Sequence, residues 1–373
     1  MKPSALDYLL CIHCNKLLQL QDGFKCVEAP QSNAEAEEII SGKLSCPECR
    51  RTYDIRGGIP RLVDVSKSSH TDIETGQSFA TAWKSFPRMD ERYRQQFFDW
   101  IDPVDPQFFK DKMVLECGCG KGRHAKIVAD CEAKMIFAVD IGDAVEVAYQ
   151  NVGHLPNVNI IQADIDNLPF GPIFDLAFSL GVLHHMNSPV SGFLSMSKKL
   201  KKDGTICVWV YGRENNRWLI RVVNPVRIAI TSKLSPPLLK VLAALVALPV
   251  YLSAHLIAAP WTRLQTKLPA LPSLFYQRYM TYISRFDFNE IHHIVYDHLS
   301  APVANYVARH YFEQWFAEGG LPDPVIRWHN QNSWTGISSH NPPILAMMHE
   351  RMVGRETPSG EQFKAQIQPK AES

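Results

Sequence analysis

The middle of the chain alternates short apolar runs with helical spacing. Apolar runs predict strands at 134–139, 157–162 and 174–180. The last of these is almost wholly apolar, which is typical of a strand that is covered on both faces. Residues 123–130 have helical spacing and come directly after a glycine-rich loop. This repeated order predicts an α/β fold with a mainly parallel sheet and helices on both faces.

A different pattern follows in the last third of the chain. A turn at Leu200 to Gly204 precedes a fifth strand, and residues 213–300 then show no strand pattern. Residues 303–320 have amphipathic helical spacing that ends at glycine. Two short segments, 325–328 and 334–337, predict a hairpin that closes the sheet. The stretch 213–300 is therefore predicted to be a helical insertion within the domain, and we call it the insert.

The N-terminal segment carries two CxxC pairs, Cys11 with Cys14 and Cys46 with Cys49. Two such knuckles can present four thiolates to one zinc ion. The alternatives are four ordinary buried cysteines or a redox pair, although neither pair precedes a helix. The polar stretch Gln31 to Ser41 is interpreted as an insertion, and a hairpin is predicted to turn at Gly57 and Gly58.

The glycine-rich loop follows a short apolar strand that begins near Lys112. Its glycines, Gly118, Gly120 and Gly122, do not have the spacing of a dinucleotide site. Glu116 before the loop would repel a pyrophosphate, but it suits a cofactor that carries an ammonium and a sulfonium. Further acids end the next two strands: Asp140 could accept hydrogen bonds from a ribose, and Asp164 from an adenine amino group.

Composition narrows the class of protein only slightly. The net charge is +1, so bulk charge does not indicate a nucleic-acid partner, although Arg50, Arg51, Arg56 and Arg61 form a local basic cluster. The start of the chain does not have the pattern of a signal peptide. Nine cysteines arranged in this way favour a reducing, cytoplasmic location over a disulfide framework.

Taken together, the motifs VLECGCGKG, AVDIGDA, ADIDNLPF, FDLAFSLGVLHH and LKKDGTICVW resemble class I S-adenosylmethionine-dependent methyltransferases, in particular the ubiquinone- and sterol-type branch. The N-terminal segment resembles the small zinc-binding activator module that accompanies many methyltransferases. The resemblance implies S-adenosylmethionine and Zn²⁺ as cofactors. The implied cofactor-binding residues are Glu116, Gly118, Gly120, Gly122, Asp140, Ile141, Asp164, Ile165 and Leu180, and the implied metal ligands are Cys11, Cys14, Cys46 and Cys49.

The candidate catalytic residues are His184 and His185, which follow the fourth strand. Histidine is the natural base near neutral pH, although in many relatives such a pair only shapes the pocket. Tyr211 and His292 or His293 are further candidates. The chain has SLGV where enzymes that methylate amide or amino nitrogens have an Asn/Asp-Pro-Pro motif, so an oxygen or carbon acceptor is expected.

The insert contains an apolar stretch, Val241 to Ala259, without any charged residue. Its length suits a membrane span, but both ends of the insert must return to one sheet, and Pro249 would allow a helical hairpin. Upstream, Arg217, Arg221, Arg227 and Lys233 suit an interfacial helix. Three interpretations remain open: a lid, a lid that contacts a membrane, and a dimer surface.

The expected organisation is a zinc module at 1–65, a helical connector at 66–110, a methyltransferase domain at 111–212 and 301–345, the lid-like insert at 213–300 and a disordered tail at 358–373. The expected function is methylation of a small-molecule, lipid- or glycan-type acceptor. Nucleic acid is expected to be an unlikely partner. An RNA methyltransferase and a non-catalytic protein that binds S-adenosylmethionine remain as alternatives.

Overall fold

The computed structural model describes residues 1–28 and 37–353, and in this part of the chain twelve strands join in one mixed sheet. The strands are β1 (Gln19–Leu20), β2 (Lys25–Glu28), β3 (Glu37–Ser45), β4 (Thr52–Arg56), β5 (Ile59–Leu62), β6 (Met113–Cys117), β7 (Met135–Asp140), β8 (Val158–Ala163), β9 (Phe174–Leu180), β10 (Leu200–Tyr211), β11 (Val325–His329) and β12 (Ser333–Ser339).

The helices lie between and against these strands. They are α1 (His70–Ser85), α2 (Arg92–Ile101), α3 (Arg123–Asp130), α4 (Ala144–Val152), α5 (Pro189–Ser197), α6 (Asn224–Ala229), α7 (Pro236–Ser253), α8 (Ala259–Lys267), α9 (Gln277–Ile283), α10 (Phe288–Ser300), α11 (Arg309–Glu318) and α12 (Pro342–Met352). The α/β fold class is confirmed.

The catalytic part of the sheet has the strand order β8-β7-β6-β9-β10-β12-β11. The first five of these strands are parallel, and β12 runs antiparallel to β10. The predicted strands and the closing hairpin are confirmed within one or two residues. The predicted turn at Leu200 to Gly204 is wrong, because β10 already begins at Leu200 and its register shifts before Thr205.

The N-terminal segment extends this sheet. The predicted hairpin is present as β4 and β5, and β5 pairs in parallel with β8, with Arg61 opposite Gln162 and Leu62 opposite Ala163. The predicted insertion at Gln31 to Ser41 lies partly outside the described residues, and its last positions belong to β3. The predicted tail at 358–373 lies wholly outside them.

The insert is helical, as predicted, but it does not turn at Pro249. That proline lies inside α7, and the helical path continues through a π-helical turn at Ala254–Ala258 into α8. Such a π-helical turn accommodates the helical hydrogen bond that Pro249 cannot donate, and it does not reverse the direction of the chain. The stretch Pro236–Lys267 is a single helix of 32 residues that could cross a membrane by length and composition alone, and such a helix is weak support for a membrane protein.

The predicted helix at 303–320 is too long at its start. Residues before Arg309 are extended because their backbone bonds to the loops beside the sheet: Asn305 N–H donates to His184 O, and Val307 N–H donates to Tyr211 O. Helical hydrogen bonds begin only after these contacts, and α11 starts at Arg309. The extended stretch thus becomes part of the wall beside the fourth and fifth parallel strands.

Candidate active site

A cavity of about 470 Å³ lies between the carboxyl ends of the parallel strands and the helices of the insert. In a parallel α/β sheet, ligands bind at these strand ends. The predicted site residues that line the cavity are Gly118, Gly120, Asp140, Ile141, Asp164, Ile165, Leu180 and His185. The predicted residues that do not line it are Glu116, Gly122 and His184.

The glycine loop is held against the end of β7. The amides of Gly118 and Cys119 both donate to Val139 O, at 2.8 and 2.9 Å. Gly118 has a φ of +81°, and a Cβ there would lie 2.3 Å from Val182. A side chain at this position would therefore be strained and would collide with the β9 loop.

Asp140 also holds the glycine loop in place, through hydrogen bonds to its side chain. Its Oδ2 accepts from Gly120 N–H and its Oδ1 accepts from Gly142 N–H, each at 3.0 Å. Burial raises the pKa of Asp140 above its ordinary value, although these backbone donors oppose the shift. Each carboxylate oxygen has a second lone pair, so Asp140 can still accept from a ligand hydroxyl.

Two further acids, Asp164 and Asp72, line the cavity beyond the end of β8. Asp164 Oδ1 accepts from Asp166 N–H at 2.9 Å and caps a short 3₁₀ turn that carries Ile165. Asp72, on α1, accepts from Asn187 N–H at 2.6 Å and lines the same cavity. Burial raises the pKa of Asp72. The connector thus contributes an acid that the sequence did not indicate.

Glu116 and Gly122 lie behind the loop. The Glu116 carboxylate is buried, and its Oε1 lies 3.3 Å from His124 Nδ1. Burial raises the pKa of Glu116 well above its ordinary value. A Cβ on Gly122 would lie 2.8 Å from Val152, so this glycine allows α3 to pack closely on α4. In this structure both residues support the loop from behind the cavity wall.

The two candidate catalytic histidines differ in position. His185 lines the cavity, and its Nδ1–H donates to Val303 O at 2.6 Å, which leaves Nε2 free to accept a proton. Burial lowers the pKa of His185 to about 3, so its ring is neutral near pH 7. His184 is fully buried behind the wall, with its ring centroid 3.9 Å from that of Tyr211.

Aromatic rings line a large part of the same cavity. Tyr211 stacks on His298 and on Tyr306, with centroids 5.5 and 5.7 Å apart. Trp100 and Trp209 stack at 4.5 Å with their planes 9° apart. All five rings line the cavity. Flat stacked rings of this kind suit a planar ligand.

A charged network joins the insert to the glycine loop. Buried Lys121 donates to Tyr93 Oη at 3.0 Å, and Tyr93 O–H donates to Glu290 of α10 at 2.7 Å. Burial lowers the pKa of Lys121 to about 8. Burial opposes ionisation of Glu290, but the imidazole of His293, whose Nδ1 lies 3.7 Å from Glu290 Oε1, and the hydrogen bond from Tyr93 overcome it and hold its pKa at about 2. These contacts tie α10 to the loop.

The four CxxC cysteines meet at one point of the N-terminal segment. Their Sγ atoms all lie within 4.8 Å of one another, with Cys14 and Cys46 at 3.3 Å and Cys11 and Cys49 at 3.5 Å. Tyr53 Oη lies 3.1 Å from Cys11 Sγ. A tetrahedral zinc ion with Zn–S bonds of about 2.3 Å needs sulfurs at this spacing.

Several cavity residues were missed because their sequence signals are weak. Arg123 lies over the rings of Trp83 and Trp100, 5.5 Å from each centroid, but a lone arginine after a glycine loop indicates little. Tyr276, Tyr279 and Tyr282 come from the insert, whose path to the cavity could not be derived from spacing. Phe79 and Trp83 of α1 also line the cavity.

Comparison with known proteins agrees with this geometry. Residues 115–208 match the methyltransferase domain family. The tRNA U34 carboxymethyltransferase of Actinobacillus pleuropneumoniae is 32% identical over 162 residues, which are 38% of this chain and 50% of that protein. The protein of the same name in Shewanella loihica is 27% identical over 223 residues, and this match covers 52% of this chain and 67% of that protein. The chain thus spans only half the length of the first relative.

Among solved structures, a complex of the Haloferax volcanii Trm112 methyltransferase activator with a methyltransferase is 13% identical. The match covers 70% of this chain and 97% of the matched chain in that complex, at a TM-score of 0.41. This likeness is too distant to support an argument about the N-terminal segment.

The relatives correct two expectations. A small-molecule, lipid- or glycan-type acceptor is wrong, and so is the expectation that nucleic acid is an unlikely partner, because these relatives are named for tRNA. The net charge of the whole chain misled because it does not describe local clusters such as Arg50, Arg51, Arg56 and Arg61. Nothing in these relatives supports a membrane contact of the insert. With the domain match at residues 115–208, the strand order and the cavity at the strand ends, the chain contains a class I methyltransferase domain of the S-adenosylmethionine-dependent type.

Proposed function

We propose that this protein transfers a methyl group from S-adenosylmethionine to a base in tRNA, and that it does so in the cytoplasm. The observation that carries the proposal is one cavity that is lined both by a cofactor-type glycine loop and by stacked aromatic rings. An enzyme that modifies a base takes that base out of the stack and holds it between flat side chains. The similarity to proteins named for tRNA U34 supports the choice of acceptor.

The residues present fit S-adenosylmethionine. Gly118 and Gly120 leave room in the loop that a Cβ would fill, and Asp140 has acceptor capacity for a ribose. Asp164 and Ile165 would bind the adenine, and Leu180 would lie near the sulfonium. The bound cofactor supplies an activated methyl group.

His185 would accept a proton from the acceptor at Nε2. Its hydrogen bond to Val303 O fixes the tautomer with the proton on Nδ1. The helices of the insert would exclude water from this face, which strengthens polar interactions inside the cavity. His184 would position its neighbour and Tyr211 without contacting the acceptor.

The N-terminal segment would hold zinc through Cys11, Cys14, Cys46 and Cys49 and would give RNA a surface to bind. Arg50 and Arg56 are exposed there, which makes their guanidinium groups accessible to backbone phosphates.

The test is transfer of tritium from S-[methyl-³H]adenosylmethionine to unmodified total tRNA, followed by digestion to nucleosides and chromatography. We expect one labelled nucleoside, and we expect Asp140→Ala to abolish the label. Asp130→Ala is the matched control, because Asp130 is an exposed acid at the end of α3. Cofactor binding by the folded protein without transfer to any tRNA would overturn the proposal.

A further inference from the structure

The insert carries most of the exposed apolar surface of the molecule. Of the 22 large hydrophobic side chains that are exposed in the described part of the chain, sixteen lie between Trp218 and Phe275. Six of them follow one face of α7 and of the π-helical turn after it, and we call them the apolar stripe: Leu238, Val241, Leu245, Leu248, Leu252 and Leu256. A soluble protein seldom leaves so many neighbouring apolar side chains in water, so this surface indicates a binding partner.

The larger apolar side chains of α7 point away from the protein. The inner face of the helix includes Ala243 and Ala247, which are fully buried in one cluster with Ile291 of α10. Leu245 and Leu248, on the opposite face, are 67% and 50% exposed. A surface helix of a soluble protein normally has the reverse arrangement, with its larger apolar residues on the buried face. The core beneath α7 therefore does not explain the apolar stripe.

The charge of the insert has one sign. Between residues 215 and 286 the sequence has nine Lys or Arg residues and no Asp or Glu. Eight of these nine cations are exposed. Arg227 is buried, which corrects the expectation that placed it on an interfacial helix with Arg217, Arg221 and Lys233. The surface of the insert is therefore cationic, whereas the net charge of the whole chain is only +1.

Cations lie at both ends of the apolar stripe. Lys233 and Lys240 come at its start, and Arg263 and Lys267 follow its end on α8. Long cationic side chains keep their charge in a polar layer while neighbouring apolar side chains enter a nonpolar one. The two parts of this surface thus fit a partner with a nonpolar interior beneath a layer of negative charge.

An anionic lipid bilayer has this chemistry, because its acyl chains accommodate leucine and valine and its phosphates attract the cations. Two other partners fit less well. A second copy of the chain would bring two cationic surfaces together, and like charges oppose such a contact. RNA would pair with the cations but would leave the apolar stripe without a partner, since bases stack on aromatic rings.

We propose that the insert binds the surface of an anionic membrane through the apolar stripe and the exposed cations around it. The helix lies along the membrane surface and does not cross it, because its inner face is packed on α10. The chain also returns to the catalytic sheet on both sides of the insert, through β10 and β11. This inference concerns the outer surface of the insert, so it goes beyond the proposed function and does not depend on it.

The contact is tested by flotation of the full chain with two kinds of vesicle, one of phosphatidylcholine and one of equal parts phosphatidylcholine and phosphatidylglycerol. We expect the wild type to float with the anionic vesicles and to be released by high salt, which screens the cations. No flotation of the folded wild type with anionic vesicles at low salt would overturn the proposal. Equal flotation with both kinds of vesicle would overturn the role of the cations.

The apolar stripe is tested by the double variant Leu248→Glu/Leu252→Glu. Its partition coefficient for anionic vesicles should fall at least about tenfold, because two carboxylates then face the lipid. Val65→Glu/Val353→Glu adds the same charge at exposed valines outside the insert and should float like the wild type. Thermal unfolding without lipid should give all three proteins the same Tm. An equal loss in the control, or no loss in the insert variant, would show that the stripe is not the contact.

The cations are tested by Arg263→Gln/Lys267→Gln, which should also lower the partition coefficient for anionic vesicles at least about tenfold. Lys43→Gln/Lys202→Gln removes the same charge from exposed positions outside the insert and should have little effect. An equal loss in both double variants would mean that only the net charge of the chain matters, which would contradict a localised contact.

The two competing partners give different results. A dimer in sedimentation equilibrium without lipid that Leu248→Glu/Leu252→Glu dissociates would assign the apolar stripe to a second copy and overturn the proposal. Weaker tRNA binding by Arg263→Gln/Lys267→Gln, together with a wild type that does not float, would assign the cations to RNA. Transfer of label to tRNA by a wild type that does not float would defeat this inference and leave the proposed function standing, and flotation without any labelling of tRNA would do the reverse.

Discussion

The two sides of the cavity are built in different ways. The cofactor side comes from the ends of consecutive parallel strands: Gly118 and Asp164 directly follow a strand, and Asp140 is the last residue of one. The acceptor side comes mainly from the connector and the insert, and residues as far along the chain as Asn332, in the turn between β11 and β12, complete it. The first side is fixed by the sheet itself, whereas the second depends on helices that pack from outside.

This difference explains where binding and selectivity reside. Backbone amides hold Asp140 and the loop, so the cofactor side is rigid before any ligand arrives. The acceptor side is held by side-chain contacts such as those of Glu290 and His185. Changes on the first side should therefore abolish cofactor binding, and changes on the second should alter acceptor use while cofactor binding persists.

The largest effect is expected from the cysteine cluster, which supports the cofactor side through β5 and β8. Cys46→Ser should reduce zinc from about one ion per chain to almost none and should remove metal-dependent stability on the order of 10 kcal/mol. Elemental analysis and thermal unfolding measure both quantities. Cys26→Ser is the control, since Cys26 lies outside the cluster. Full stability of metal-free Cys46→Ser would contradict a structural metal.

The next largest effect is expected at Gly118. Gly118→Ala should weaken S-adenosylmethionine binding about 1000-fold, or about 4 kcal/mol, because its Cβ would lie 2.3 Å from Val182 at a positive φ. Calorimetric titration measures the loss. Gly171→Ala should bind normally, since a Cβ there meets only Leu10 at 3.9 Å. Retained affinity in Gly118→Ala would show that the cofactor side is not rigid.

A smaller effect is expected on the acceptor side from Glu290. Its pKa of about 2, against an ordinary 4.5, should stabilise the fold by about 3 kcal/mol at pH 7. Because the folded pKa is lowered, this stability is complete above pH 4.5 and is lost as the pH falls toward 2. Urea unfolding of Glu290→Gln and wild type from pH 6 to 3 should show a difference that narrows below pH 4.5. A difference independent of pH would refute the ionised Glu290.

The smallest effect is expected from His185→Asn, which should lower kcat for tRNA about 100-fold and leave cofactor affinity within about threefold. Since its pKa is about 3, the wild-type rate should show no loss from His185 protonation between pH 5 and 8. His310→Asn, an exposed histidine of α11, should behave as wild type. An unchanged kcat in His185→Asn would remove the proton-transfer role.

The sequence predicted the parallel strands, the closing hairpin and the four cysteines, because each has a local period or a fixed spacing. It also placed eight of its residues on the cavity wall, since strand ends in a parallel sheet meet at one edge. Glu116 lies beside His124 and does not line the cavity, a position that the spacing of the glycine loop does not reveal. The burial of Arg227 and the parallel pairing of β5 with β8 depend on tertiary contacts, which leave no local pattern in the sequence.

That pairing has a consequence for solubility. Without the N-terminal segment, β8 would be an outermost strand with a row of unpaired amides and carbonyls, which is a template for aggregation with other copies. The two residue pairs of β5, at Arg61 and Leu62, cover the carboxyl end of this row, at Gln162 and Ala163. Shortening the chain to its methyltransferase domain should therefore yield a protein that associates through β8, because the N-terminal segment then no longer covers the carboxyl end of that edge.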